Sequence, residues 1–429
     1  MPRFSSLFFG ASLLITSCNH PDSLINPLFA DSLITRYTIP AVAIANNAEL
    51  EFWKKRMNPH APGLVNEARY ASALINRFQQ WGDIRDVKEA DSIMRKVDTS
   101  FNHKEGGPVR NLVTYSIMQH RFKQADDYLQ VAKQIGLRNY ESQSLSFDVD
   151  FELGRNNNAY NDLKFLKSTG DFGYYFRRSR FDHLNGTLDS AISAMLKAAA
   201  LSENIALLKQ VALSNTGDLY IHAGKLREAR DKYIECIRMG RADFHSVIGL
   251  GWIALINDGN DSLAERLFLF VLSHNKLPDA LFKLVQISDA RGDTISQKSR
   301  AREFEAAATN TLYEKMYNKY LIELYTGILH EPDKALILSR EELDNRATPQ
   351  TYAWYCWCLL VNNQKEEAYK VFQQHVSGKP LEGLELFWMG KLMLSLGKGY
   401  NAQSFFKAAY KNKYDLSPGI VKELEKGME

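Results

Sequence analysis

The 429 residues hold four cysteines, twelve prolines and no apolar run long enough to cross a bilayer. Without a cysteine pair at zinc spacing, a zinc-folded module is excluded, and so is a scaffold stapled by many disulfides. A formal net charge of +3 leaves no basic excess or basic tail, which argues against a nucleic-acid partner. The chain has no phosphate-loop sequence and no His-Glu-x2-His. Its ten histidines sit beside no acid and nucleophile at a recognised spacing, so no enzyme constellation speaks. Strand-type alternation of any length is missing as well. With 45% apolar and 24% charged residues, what remains is ordinary all-α globular material.

What is present is a repeat. Tyr352-x2-Tyr355-Cys356-x2-Leu359, then Ala368-x3-Phe372, then Pro380, recurs as Leu386-x2-Met389-Gly390-x2-Met393, then Ala402-x3-Phe406, 34 residues on. Small residues allow two helices to cross closely, and large ones fill the space around the crossing. The spacing resembles the tetratricopeptide repeat. A ladder of Ala90, Ala125, Ala159, Ala191, Ala229, Ala264, Ala301, Ala335, Ala368 and Ala402 extends the register back along the chain. Each alanine is preceded by a breaker, from Gly82-Asp83 and His120-Arg121 through Gly224-Lys225 to Asn362-Asn363 and Gly397-Lys398. Leu213-x2-Thr216-Gly217-x2-Tyr220 with Ala229-x3-Tyr233 matches best after the first two. The resemblance implies a superhelical α-solenoid of about ten helix pairs over 49–416. A capping helix follows over 417–429, apolar at Ile420 and Leu424 and polar at Lys422, Glu423 and Lys426. Gly249-Leu250-Gly251-x2-Ala254 mimics a dinucleotide turn, but Gly251 falls at a crossing position, so packing is the expectation. Cys236, Cys356 and Cys358 read as small buried residues. The last two are held on opposite sides of one helix, and Cys236 lies several repeats away.

The amino terminus reads as an address. Arg3 precedes an apolar stretch from Phe4 to Ile15, ending in Ile15-Thr16-Ser17-Cys18. This resembles the bacterial lipoprotein box, which implies a signal peptide over 1–17, cleavage before Cys18 and its acylation. Residues 18–48, with Pro21, Pro27 and Pro40, read as a flexible tether reaching about 30 Å. Glu49 to Met57 reads as a short helix ahead of the first repeat. The Asp-Ser triplets at Asp22 and Asp31 are read as turn and helix-start chemistry.

Proteins of the repeat family use their first helices to line a concave groove. Carried onto this register, the groove positions include Arg110, Phe176, Arg180, His183, His222, Trp252, Trp357, Phe387 and Lys391. For Trp252 and Trp357 the alternative is a plug between neighbouring helices. The Lys/Asn clamp of carboxylate-binding members is absent. Phe176, Arg180 and His183 share one helical face, suiting a partner segment that carries a hydrophobic residue and a carboxylate. The expectation is a lipid-anchored scaffold of the bacterial envelope, at the outer membrane, which binds another envelope protein or peptide segment. It calls for no catalysis, cofactor, metal or nucleic acid. The alternative is a SusD-type glycan-binding uptake lipoprotein, against which stands the lack of long insertions between repeats.

Overall fold

A computed structural model describes residues 23–240 and 243–428. Among them the regular structure is helical throughout. Two helices come first, α1 (Pro27–Thr35) and α2 (Ala41–Lys54). Ten helix pairs follow. Pairs one to three are α3 (Asn66–Trp81) with α4 (Ile84–Ser100), α5 (Gly106–Met118) with α6 (Phe122–Ile135), and α7 (Asn139–Glu152) with α8 (Asn156–Leu166). Pairs four to six are α9 (Phe172–Leu184) with α10 (Leu188–Leu201), α11 (Ala206–His222) with α12 (Leu226–Arg238), and α13 (Phe244–Ile256) with α14 (Asp261–His274). Pairs seven and eight are α15 (Asp279–Arg291) with α16 (Thr294–Ala308) and α17 (Asn318–Thr326) with α18 (Pro332–Asn345). Pair nine is α19 (Pro349–Val361) with α20 (Lys365–Val371), which runs on into a π turn, Phe372–Val376. Pair ten is α21 (Gly383–Leu396) with α22 (Ala402–Lys411), and α23 (Pro418–Met428) ends the chain's described part.

The breakers do what their chemistry demands. Nine pairs turn through one residue of positive φ, Gly82, His120, Gly154, Gly186, Gly224, Gly259, Gly292, His330 or Asn363, and the tenth through two, Gly397 and Gly399. In most of these turns the next residue's N–H reaches back to a carbonyl near the end of the first helix, as Lys225 N does to Tyr220 O at 2.8 Å. The alanine ladder from Ala90 to Ala368 is fully buried, and Ala402, at the first residue of α22, is partly so. Glycines mark the closest crossings. A methyl on Gly217 would enter the ring of Tyr233, and one on Gly251 the ring of Phe268. Gly249 and Gly251 therefore lie mid-helix in α13 as packing residues.

The tether reading is overturned for the described residues. Ser23 to Lys54 carries α1 and α2 and docks on the solenoid, with Ile25 and Ala30 in its core. The short helix expected at Glu49 begins at Ala41 instead. Prolines misled here: Pro27 opens α1 at the first turn, where a missing N–H costs nothing, and Pro40 sits just before α2. Cys18 and the signal segment lie outside the described residues. Cys236, Cys356 and Cys358 are free and buried. The last helix, α23, covers α22 and also reaches back to α15, with Gly419 N donating to Asp289 Oδ2 at 2.9 Å.

Candidate partner-binding cavity

Winding brings the turns of early pairs onto the loops between late ones. The turn of pair one meets the loop after pair six, where Lys276 N donates to Trp81 O at 2.8 Å and Lys276 Nζ pairs with Asp83 at 2.8 Å. Asn345, buried at the end of pair eight, clasps the turn of pair two. Its Oδ1 accepts from Phe122 N at 3.1 Å and its Nδ2 donates to His120 O at 2.8 Å. Arg346 reaches Glu152 of pair three at 3.3 Å. His222, ending α11, lies 2.7 Å from Asp415, and the Trp252 indole donates to Tyr414 O at 2.7 Å. One superhelical turn thus takes about six pairs, and a polar seam joins the first turn to the second.

Along this seam lies a cavity of about 710 Å³. The early side supplies Phe151, Glu152, Arg180, His183 and His222. The late side supplies Lys319, Tyr320, Arg346, Gln350, Trp354, Glu382 and Asp415. Arg180 bonds Glu152 at 2.6 Å and lies 4.3 Å over the ring of Phe151. Arg346 shares Glu152, pairs with Glu342 at 3.3 Å, and faces Trp354. Lys319 sits between Glu382 at 3.1 Å and Glu385 at 3.0 Å. Burial works against its charge, but Glu385 and Glu382 overcome that and hold the ammonium charged. Glu385 is wholly buried. Its Oε1 accepts the Trp354 indole at 2.7 Å, and its Oε2 has no hydrogen-bond partner.

The histidines of the wall divide by environment. Burial alone would lower His222, yet the hydrogen bond and charge of Asp415 raise it to about 9, with Glu382 and Asp218 adding. His183, its ring 4.7 Å from that of His222, is pushed down by burial and by the neighbouring positive charge. His120 falls to about 4 through burial and the nearby Arg346. At neutral pH the wall therefore presents Arg180, Arg346, Lys319 and protonated His222 among Glu152, Glu382 and Asp415. Both signs alternate, and aromatic rings stand between them.

A neighbouring polar cluster surrounds Lys283, which lies 3.6 Å over the Trp252 ring and drops to about 8 through burial. Glu323, pushed up to about 7 by burial, and Asp218, held by His245 at 2.9 Å and Tyr233 at 2.7 Å, complete it.

Of the residues picked from the register, Arg180, His183 and His222 share the cavity wall. Trp252 is a plug between α13 and the Tyr414 turn and is nearly fully buried. Trp357 stacks on Trp388, with centroids 5.7 Å apart, and its indole donates to Thr326 at 2.9 Å. Phe176 stacks on Phe172 within the core of pair four, and Phe387 is buried against Phe406. Arg110 is exposed and paired with Glu141 at 2.9 Å, while Lys391 is taken by Glu423 of α23. The open groove expected along all first helices is thus not formed: neighbouring helices and the seam cover much of it. Arg177, one turn back on α9, shares Asp148 with Arg180. Lys319, Arg346, Glu382 and Asp415 were not picked out, because they belong to loops and helix ends whose partners lie far along the chain. Among the described residues, no group of three or more His, Cys, Asp or Glu is placed to hold a metal ion.

No protein-family profile and no curated protein matches the chain. Solved structures do. A structure from the functional characterization of Pseudomonas aeruginosa pilF is 12% identical over 49% of this chain and 96% of that one, with a TM-score of 0.37. A tetratricopeptide repeat protein from Parabacteroides merdae is 15% identical over 59% and 97%, with a TM-score of 0.35. The human IFIT1 dimer with PPP-AAAA is 13% identical over 76% of each chain, with a TM-score of 0.46. By its own repeat register and helix pairing, this chain is, over its described residues, an all-α solenoid of ten tetratricopeptide-like helix pairs.

Proposed function

We propose that this protein is a lipid-anchored scaffold of the bacterial envelope, held to the outer membrane through Cys18, which binds a segment of another protein without catalysis. The seam cavity is the observation that carries the binding half of this reading. Its volume of about 710 Å³ suits a short peptide stretch or a few side chains. An extended segment brings backbone donors and acceptors together, and a wall of alternating carboxylates and cations can satisfy both. Phe151 and Leu381 offer apolar contact beside them. The anchoring half is supported by the Ile15-Thr16-Ser17-Cys18 sequence.

The test is affinity purification from detergent-solubilised membranes, comparing wild type with two cavity variants and one outside control. Gln350→Trp fills the cavity without removing a charge. Arg180→Glu reverses one cation and is expected to weaken binding by about 1.4 kcal/mol or more, a tenfold loss. Lys197→Glu, on the exposed side of α10, should leave binding unchanged. If all three capture the same partner equally, the cavity is not the binding site. A glycan captured by the wild type in place of a protein would favour the uptake-lipoprotein alternative.

A further inference from the structure

The first described residues after Cys18, from Ser23 on, are gripped by the solenoid. Asp258, in the turn of pair six, accepts Leu24 N at Oδ1 and Ile25 N at Oδ2, both at 2.8 Å, and Ser23 Oγ at 3.1 Å. Asn257 Nδ2 donates to the same carboxylate at 2.8 Å, and Arg230 reaches Leu24 O at 3.4 Å. Ile25 is only 2% exposed. Downstream, α1 packs on α14, where Asp31 pairs with Arg266 at 2.7 Å. Tyr37 then lies against Phe270 and His274, with centroids 5.3 and 4.5 Å away. Finally α2 packs on α3 of pair one. The arm therefore straps pair six to pair one across the seam.

Resting on the reading that Cys18 is acylated, we infer that the α1–α14 face lies against a lipid bilayer. Five Cα steps separate Cys18 from Ser23, so the anchor can lie at most about 18 Å from the gripped segment. A lipid-modified Cys18 sits in the interface, so the same short leash brings α1 to the headgroups. The chemistry of this face agrees. Leu28 on α1 is 78% exposed, and Leu269, one turn along α14 from the Arg266 that holds Asp31, is 51% exposed. The occupant is a lipid surface, and the leash would keep the superhelix in one orientation above it.

The experiment uses the full-length acylated protein in phosphatidylethanolamine–phosphatidylglycerol vesicles containing doxyl-labelled lipid. A fluorophore is placed at Leu28→Cys, Leu269→Cys or Phe165→Cys; the last is an exposed site on pair three, half a superhelical turn away. Quenching is expected to be several-fold stronger at 28 and 269 than at 165. Asp258→Ala should weaken quenching at 269 while sparing 28, because only the short leash then acts. Where that variant folds poorly, inserting about ten Gly and Ser residues before Ser23 lengthens the leash with the grip intact and should weaken quenching at 28 and 269 together; unchanged quenching at both would overturn the inference. Equal quenching at all three sites, with labelled fatty acid incorporated, overturns the orientation and leaves the anchor standing. No incorporation of fatty acid overturns the anchor reading itself. Protection of 28 and 269 in detergent that grows with protein concentration would assign the face to a second copy of the chain and overturn the inference.

Discussion

The pairing of His222 with Asp415 should make the stability of the closed superhelix depend on pH. The two residues are 193 positions apart, yet Nδ1 and Oδ2 are 2.7 Å from each other across the seam. His222 takes up a proton more readily folded than unfolded, with its pKa raised from 6.5 to about 9. The folded state then binds more protons than the unfolded one between those values, so stability falls as pH rises. The contribution is fully present below about pH 6.5 and is lost as pH passes through about 9. At 1.36 kcal/mol per pH unit the full effect would be about 3 kcal/mol. His222 keeps 29% of its side chain in solvent, so about 1–2 kcal/mol is the better expectation after screening. His222→Gln keeps a donor and removes the charge. Unfolding free energies of wild type and variant, from denaturant titration, should differ by that amount at about pH 6 and converge by about pH 10. His245, Lys283 and Glu323 also titrate in this range, but both proteins carry them, so the difference isolates His222. Amide exchange in the 412–416 turn should rise in parallel, reporting the seam locally. A wild-type-minus-variant difference that is flat with pH would refute the argument, whatever its size.

Three further outcomes follow from the packing and the anchor. Gly390→Leu should cost about 1–3 kcal/mol or more, because any side chain there enters the ring of Phe406, whereas Lys398→Leu at an exposed turn should be nearly silent. Equal losses in denaturant titration would show that the crossing is not where the register puts it. Asn345→Ala should cost about 1–3 kcal/mol by leaving Phe122 N and His120 O unpaired, read as a lowered thermal midpoint. Cys18→Ala should yield uncleaved or soluble protein, checked by membrane fractionation and incorporation of labelled fatty acid.

The repeat was readable in the sequence because it is local chemistry. An alanine must face a neighbour's backbone every 34 residues or so, and a left-handed turn must precede it. Neither requirement depends on how the pairs later wind. The buried ladder from Ala90 to Ala368 and the turn at Gly224 follow from that alone. Even the turn before Pro332 keeps the rule, by placing His330 in the left-handed region. What the sequence could not say is how far each pair rotates against the next, since that angle sums small packing differences over all ten pairs. The sum decides that the turn of pair one meets the loop after pair six, and hence that His222 finds Asp415 and Asn345 finds His120. It likewise buries Trp252 beneath Tyr414, makes a cavity wall of Arg180 and Arg346, and gives Asp258 the amides of Leu24 and Ile25. No spacing in the chain encodes those meetings, because each joins residues more than 150 positions apart through geometry that only the wound superhelix possesses.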